Sequence, residues 1–268
     1  MSEILCEKIN NPTSDYPFIE TMSLNLNYIS HYHEAMEIIY VKSGIVSAFS
    51  GGKEIVLKKD DICFFMPGEI HGFQSTESNH LYVIKLNINS YAEKIDLGKI
   101  HLNTNKINAE DRFYSIFKSL IDEIIKEHTE KKTGYEFAIR YCKNKIIAEL
   151  LRNLEYDFID TGKNIRLLAA VNKFLDERYE QKIELKEIAA ACHFSKYYFA
   201  HKLKKLTGMT FVQYLTAFRL EKAVFLLKES DMTITEIAEM CGFGSLRSFN
   251  RTFVGVYKTT PTNFRKNI

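Results

Sequence analysis

The chain is predicted to be α+β with two domains: an N-terminal β-barrel carrying appended α-helices, and an all-α C-terminal domain with two helix-turn-helix units in tandem. Three observations predict this. Up to about residue 105, short runs alternate polar with β-branched or aromatic residues and are punctuated by glycines. From Asn108 the apolar residues recur at three- and four-residue spacing instead. In the last third one pattern occurs twice, as LKEIAAACHFSKYYFAHKLKKLTGMTFVQY from Leu185 and as ITEIAEMCGFGSLRSFNRTFVGVYKTTPTNF from Ile234.

The strand-like runs are HYHEAMEIIYVKSG, GIVSAFSGGKEIVL, DDICFFMPGEIHGF and HLYVIKLNIN, with tight turns at Gly44, Gly51-Gly52, Pro67-Gly68 and Gly72. Such runs, with no helical period, predict a sandwich or barrel over residues 1–107. Tyr32, Phe49, Phe64, Phe65, Phe73 and Tyr82 are candidates to line an interior able to enclose one small polar molecule, with strand alternation turning some of them outward and the sequence alone not deciding which. His31 and His33, then Glu37, then Gly44 have the spacing of a first cupin motif, and Asp61, Pro67-Gly68 and His71 match part of a second. The domain therefore resembles the cupin fold. In cupin enzymes these histidines and the glutamate form a metal site, so the resemblance implies His31, His33, Glu37 and His71 as ligands for zinc, manganese, iron or nickel.

Residues 108–156 read as two helices. Phe113, Ile116, Phe117, Leu120, Ile121 and Ile124 make one amphipathic stripe, and Ile139, Cys142, Ile146, Leu150 and Leu154 make another after a break at Lys132 to Gly134. They must cover either the barrel or a second chain. The polar stretch 157–164 reads as a linker, and 165–268 as the second domain, opening on a helix with Leu167, Leu168, Val171, Phe174 and Leu175 inward.

Within the repeat, matching positions lie 49 apart at first (Cys192 with Cys241, Phe194 with Phe243) and then 50 apart (Phe199 with Phe249, Tyr214 with Phe264), so the second turn has one extra residue. Ser195 and Ser245 stand where an N-cap opens a second helix. Helix, turn, helix is the arrangement that places its second helix in a DNA major groove. Between the copies, Thr210 to Glu229 is predicted to be one helix whose stripe of Ala217, Leu220, Val224 and Leu227 packs against both.

From about Ile165 to Arg265 the chain resembles the DNA-binding domain of AraC/XylS-type transcription regulators. The residues that carry this are Ile234, Ile237-Ala238, Gly242-Phe243, Ser245, Phe249, Arg251, Phe253, Pro261 and Phe264-Arg265. Lys258 stands where the family commonly has Gly, which the upstream copy keeps as Gly208. The resemblance implies a homodimer formed through the two helices of 108–156, double-stranded promoter DNA as partner, and RNA polymerase as a further partner if the protein is an activator, the commoner sign in the family.

With Phe199 and Leu203 inward, Lys196, Tyr197, Ala200, His201 and Lys204 are the DNA-facing candidates of the first unit. With Phe249 and Phe253 inward, Leu246, Arg247, Asn250 and Arg251 are those of the second. Arg matches two guanine acceptors and Asn two adenine groups, whereas the lysines suit phosphates.

Charge agrees with this division. Residues 165–268 hold 17 Lys and Arg against 10 Asp and Glu, a net of +7, and residues 1–164 hold 19 against 24, a net of −5. The chain is 46% hydrophobic and 13% aromatic, a globular composition. No window approaches the roughly 18 apolar residues of a membrane span, and MSEILCEKIN is not a secretory start. The five scattered cysteines (Cys6, Cys63, Cys142, Cys192, Cys241) read as free thiols in a reducing cytoplasm, with Cys192 and Cys241 as small core residues.

Regulators of this type usually have no catalytic metal, so the resemblance favours His31, His33, Glu37 and His71 as contacts to a small-molecule effector, with no cofactor and no enzymatic activity. The competing reading is a metal-dependent cupin enzyme fused to a DNA-binding domain.

Overall fold

The alternating runs form two antiparallel sheets. In this computed structural model, which describes residues 18–22, 28–75, 79–88, 96–159 and 162–266, Cys6 and the opening MSEILCEKIN fall outside the described residues. The five-stranded sheet runs β1 (Phe18–Met22), β8 (His80–Leu86), β3 (Met36–Ser43), β6 (Ile62–Phe65), β10 (Lys106–Ile107). The four-stranded sheet runs β2 (Tyr28–His31), β7 (His71–Gln74), β4 (Ile45–Ser50), β5 (Lys53–Lys58). Ile39, Val41 and Phe65 from the first meet Val46, Leu57 and Phe73 from the second in one buried cluster.

Alternation along each strand sends its neighbours to the other face. Ile38, Tyr40 and Phe64 thus join a second cluster with Phe117 and Ile121 of α1 (Tyr114–Glu130) and Ile146 of α2 (Tyr135–Asn153). This decides which of the aromatics face inward. Phe64 packs on Phe117 at 5.2 Å between ring centroids and Tyr82 stacks on Tyr40, both on the helix side of the sheet. Tyr32 packs with the core of the C-terminal domain, and Phe49 lies against Gly208. Of the six aromatics only Phe65 and Phe73 lie between the sheets.

The linker reading is corrected. Tyr156–Phe158 forms β11, paired antiparallel with β9 (Ile100–Leu102), and α3 (Gly162–Arg178) begins by Gly162. The chain is therefore tied to the barrel through Phe158.

Each repeat then folds as the pattern predicts: α4 (Leu185–Ala191) and α5 (Lys196–Thr207), then α7 (Ile234–Met240) and α8 (Leu246–Tyr257), closed by α9 (Pro261–Lys266). Between them runs α6 (Phe211–Glu229), whose N-cap Thr210 forms a reciprocal box with Gln213. Phe211, Tyr214 and Phe218 of α6 enter the first unit's core, and Leu220, Ala223 and Leu227 enter the second's. The stripe predicted for α6 served only the second unit well, because burial against two bodies turns most of the helix inward. Among the described residues no helix is long and apolar enough to cross a membrane.

The barrel sits directly on the first unit. Ile29 and Ile70 belong to its buried core. Ser30 Oγ donates to Thr207 O at 3.0 Å, and Ile29 N donates to Glu221 Oε1 at 3.1 Å. At Gly52, in the β4–β5 turn with φ 78°, a Cβ would come within 2.5 Å of Lys205 O, so no side chain fits this contact.

Candidate nucleic-acid interface and barrel centre

The two turns are built alike. Phe194 N donates to Ala189 O and Phe243 N to Ala238 O, at 2.9 and 3.0 Å. His193 and Gly242 hold the left-handed position, with φ 59° and 71°. Gly is required at the second because a Cβ there would meet Tyr179 O at 2.6 Å. The extra residue is Gly244, with open space around it. Ser195 and Ser245 then cap their helices, accepting from Tyr198 N and Ser248 N.

The C-terminal ends also match. Gly208 and Lys258 are both left-handed C-caps, φ 74° and 56°, donating to Lys204 O and Val254 O. Lys258 thus adopts the turn that Gly allows, and its Nζ returns to Gly255 O at 2.8 Å. Arg265 closes the second unit, with Nε 3.3 Å from Leu227 O and Nη1 2.7 Å from Met232 O.

Phe199, Leu203, Phe249 and Phe253 are fully buried. On α5, Lys196, His201 and Lys204 are exposed, Tyr197 is 84% exposed and Ala200 is half-buried. On α8, Leu246, Arg247 and Arg251 are exposed and Asn250 is half-buried. Neither helix holds an acidic residue, so the charged side chains each presents are all basic. Cys241 is buried and Cys192 half-buried.

In the barrel, His31, His33, Glu37 and His71 come together: one donor atom from each lies within 4.8 Å of every other, and all four side chains are buried. The register explains this. His31 and His71 are cross-strand partners in one sheet, and Glu37, on β3, faces them from the other. Each imidazole is oriented by a backbone carbonyl: His31 Nδ1 by Ile29 O at 2.9 Å, His33 Nδ1 by Ala35 O at 2.9 Å, His71 Nδ1 by Glu69 O at 2.8 Å. A carbonyl only accepts, so each Nδ1 carries its proton and the Nε2 atoms are left for the centre.

His33 Nε2 lies 3.0 Å from Glu37 Oε2, while His71 Nε2 and Glu37 Oε1 face each other at 3.5 Å with no hydrogen bond to satisfy them. Burial and the neighbouring His71 push His31 down to about 3. Burial opposes ionisation of Glu37, but the imidazoles of His33 and His71 outweigh it and hold the carboxyl well below the usual range. Burial likewise opposes charge on His71, and Glu37 outweighs it, raising His71.

Sequence reasoning missed two members. Lys85, the cross-strand partner of Glu37, places Nζ 3.5 Å from Glu37 Oε2, and burial brings it down to about 8. Glu69 accepts from Ser50 Oγ, Met66 N and Asn105 Nδ2, bracing the turn before His71. Lys85 was discoverable as a charged residue inside the apolar run YVIKL, but only the strand register shows which carboxylate it meets.

The donor set fits a divalent transition metal: three Nε2 atoms turned inward by carbonyls and one carboxylate, of which His71 Nε2 and Glu37 Oε1 are buried without a hydrogen bond. His31, His33, His71 and Glu37 would hold it.

Comparison with known proteins agrees with both halves. The AraC-like ligand binding domain matches residues 18–140, and a helix-turn-helix domain matches residues 188–267. The TetD protein of transposon Tn10 from Escherichia coli is 32% identical over 115 residues, covering 43% of this chain and 83% of that protein. The HTH-type transcriptional regulator YobQ of Bacillus subtilis is 25% identical over 268 residues, covering 100% of this chain and 96% of that one. In fold, the chain resembles ToxT of Vibrio cholerae, solved with an unsaturated fatty acid bound, at a TM-score of 0.55 and 12% identity over 94% of this chain and 95% of that one.

The chain belongs to the AraC family of transcription regulators. It is a DNA-binding regulator with an N-terminal ligand-binding domain.

Proposed function

We propose that this regulator binds promoter DNA as a homodimer in the cytoplasm, activates transcription through contact with RNA polymerase, and has no enzymatic activity. The observation that supports the DNA reading best is the equivalence of the two units: same turn bonds, same serine caps, same buried phenylalanine or leucine pair, same left-handed C-cap. Arg247 and Asn250 read bases, Arg251 reads a base or grips a phosphate, and Lys196 and Lys204 grip phosphates. Tyr197, Ala200, His201 and Leu246 supply apolar and single-bond contacts. The dimer reading is supported by Phe137 and Tyr141, one turn apart on α2 and 74% and 60% exposed, while the opposite side of α2 covers the barrel. Sedimentation of wild type against Phe137→Ser/Tyr141→Ser tests it: a shift to monomer is expected, and an unchanged state removes this face from the dimer.

For the barrel centre we read the occupant as an ion. Donor atoms within 4.8 Å of each other leave room for a cation, whereas a metabolite would have to force them apart. Burial of all four side chains favours a metal that stabilises or senses over one that turns over a substrate. Metal analysis of protein purified without chelator tests this. One equivalent of a transition metal, lost in His33→Ala and His71→Ala, is expected; protein that remains metal-free after incubation with zinc, nickel and manganese would overturn it.

A further inference from the structure

Between the barrel and the C-terminal domain lies a cleft of about 330 Å³, a volume within the range of small-molecule sites. Its barrel wall comes from β2, β4 and β7, including Phe49 and Phe73, and its other wall comes from α6 and from the C-terminal ends of both α5 and α8. Most of the lining is apolar. Among the described residues that line it, Glu221 is the only charged group, and no Lys, Arg or His joins it. One carboxylate oxygen accepts from Ile29 N, and among the described residues no other hydrogen bond reaches the carboxylate. The adjacent Lys222 is committed elsewhere, with Nζ 2.6 Å from Asp176 Oδ1. A half-buried carboxyl with no counter-charge in its own cleft is held toward its neutral form, and burial pushes Glu221 up to about 8.

We propose that this cleft is the effector site and that it takes a small organic amine, the ammonium on the Glu221 carboxylate and the apolar body between Phe73 and Leu220. The ammonium supplies the counter-charge the cleft lacks, and the rings and aliphatic side chains remove the ligand's apolar surface from water. An anionic ligand of the same shape finds no positive group among the described lining residues to replace its water. A molecule here touches the barrel, the helix joining the two units, and Tyr257 at the end of α8, so its binding energy bears on the relative placement of all three. The consequence at DNA rests on the regulator reading above; binding itself does not.

The test is isothermal titration of the full chain with three probes of one shape: 2-phenylethylamine, 2-phenylethanol and phenylacetate. The amine is expected to bind, the alcohol to bind more weakly, and phenylacetate to show no heat. Glu221→Gln should weaken the amine by about tenfold or more while leaving the alcohol within about twofold. Ala217→Lys, which places an ammonium one turn before Glu221 on α6, should abolish amine binding, so the proposal stays testable if one variant fails to fold. No amine binding at millimolar concentration, a preference for phenylacetate, or equal amine affinity in folded Glu221→Gln would each overturn it. DNA binding measured on the same preparation separates this failure from a failure of the regulator reading.

Discussion

The hydroxyl of Tyr214, on the helix between the two DNA-binding units, lies 3.1 Å from the carbonyl oxygen of Ser30 in the barrel and 2.8 Å from Asn172 Oδ1. All three groups are buried. Removing the hydroxyl leaves polar atoms of two domains without it, so Tyr214→Phe should cost about 1–2 kcal/mol in urea unfolding of the full chain. A loss within error would mean that the barrel does not grip the first unit here.

A second contact across the same junction carries a pH signature. Burial raises Glu221 from an ordinary 4.5 to about 8. Between these values the unfolded chain has lost the proton and the folded chain keeps it, so this group's contribution is intact at low pH and is lost as pH rises toward 8. The melting temperature of wild type should therefore fall more steeply from pH 5 to 8 than that of Glu221→Gln. Parallel slopes would contradict the assignment.

Lys258 holds a left-handed turn at φ 56°. Lys258→Gly relieves a conformation costly to any residue with a Cβ, and should stabilise the chain by about 0.5–1 kcal/mol despite the lost contact to Gly255 O. Gly52→Ala should act in the opposite sense, because its Cβ meets Lys205 O at 2.5 Å. Faster proteolysis between barrel and C-terminal domain is the expected readout.

The C-terminal units were legible because two copies of one pattern constrain each other: caps, turns and inward pairs each appear twice. The strands were legible from alternation, but the face each presents was not. Phe64 and Phe65 are adjacent and equally aromatic, and only the packing of α1 and α2 on one sheet decides which turns in. The four barrel residues could be picked out by spacing, while Lys85 and Glu69 needed the register. The junction was invisible: Tyr214 and Ser30 are 184 residues apart, and neither carries a pattern naming the other. The same holds for Glu221, which no motif or spacing singles out.

At DNA, Arg247→Ala and Asn250→Ala should each lose about 1–3 kcal/mol of discrimination at particular base pairs. Lys204→Ala should instead weaken binding to all sequences alike and lower the salt slope by about one. Equal losses on specific and random duplexes for all three would refute the division of roles.

Hydroxyl-radical footprinting of the full chain on a duplex selected from random sequence tests the central claim most directly. Each chain should protect two segments on one face, about one helical turn or 10 bp apart, and Arg247→Ala should weaken one of them while sparing the other. A single protected segment, or selection that yields no preferred sequence, would contradict it.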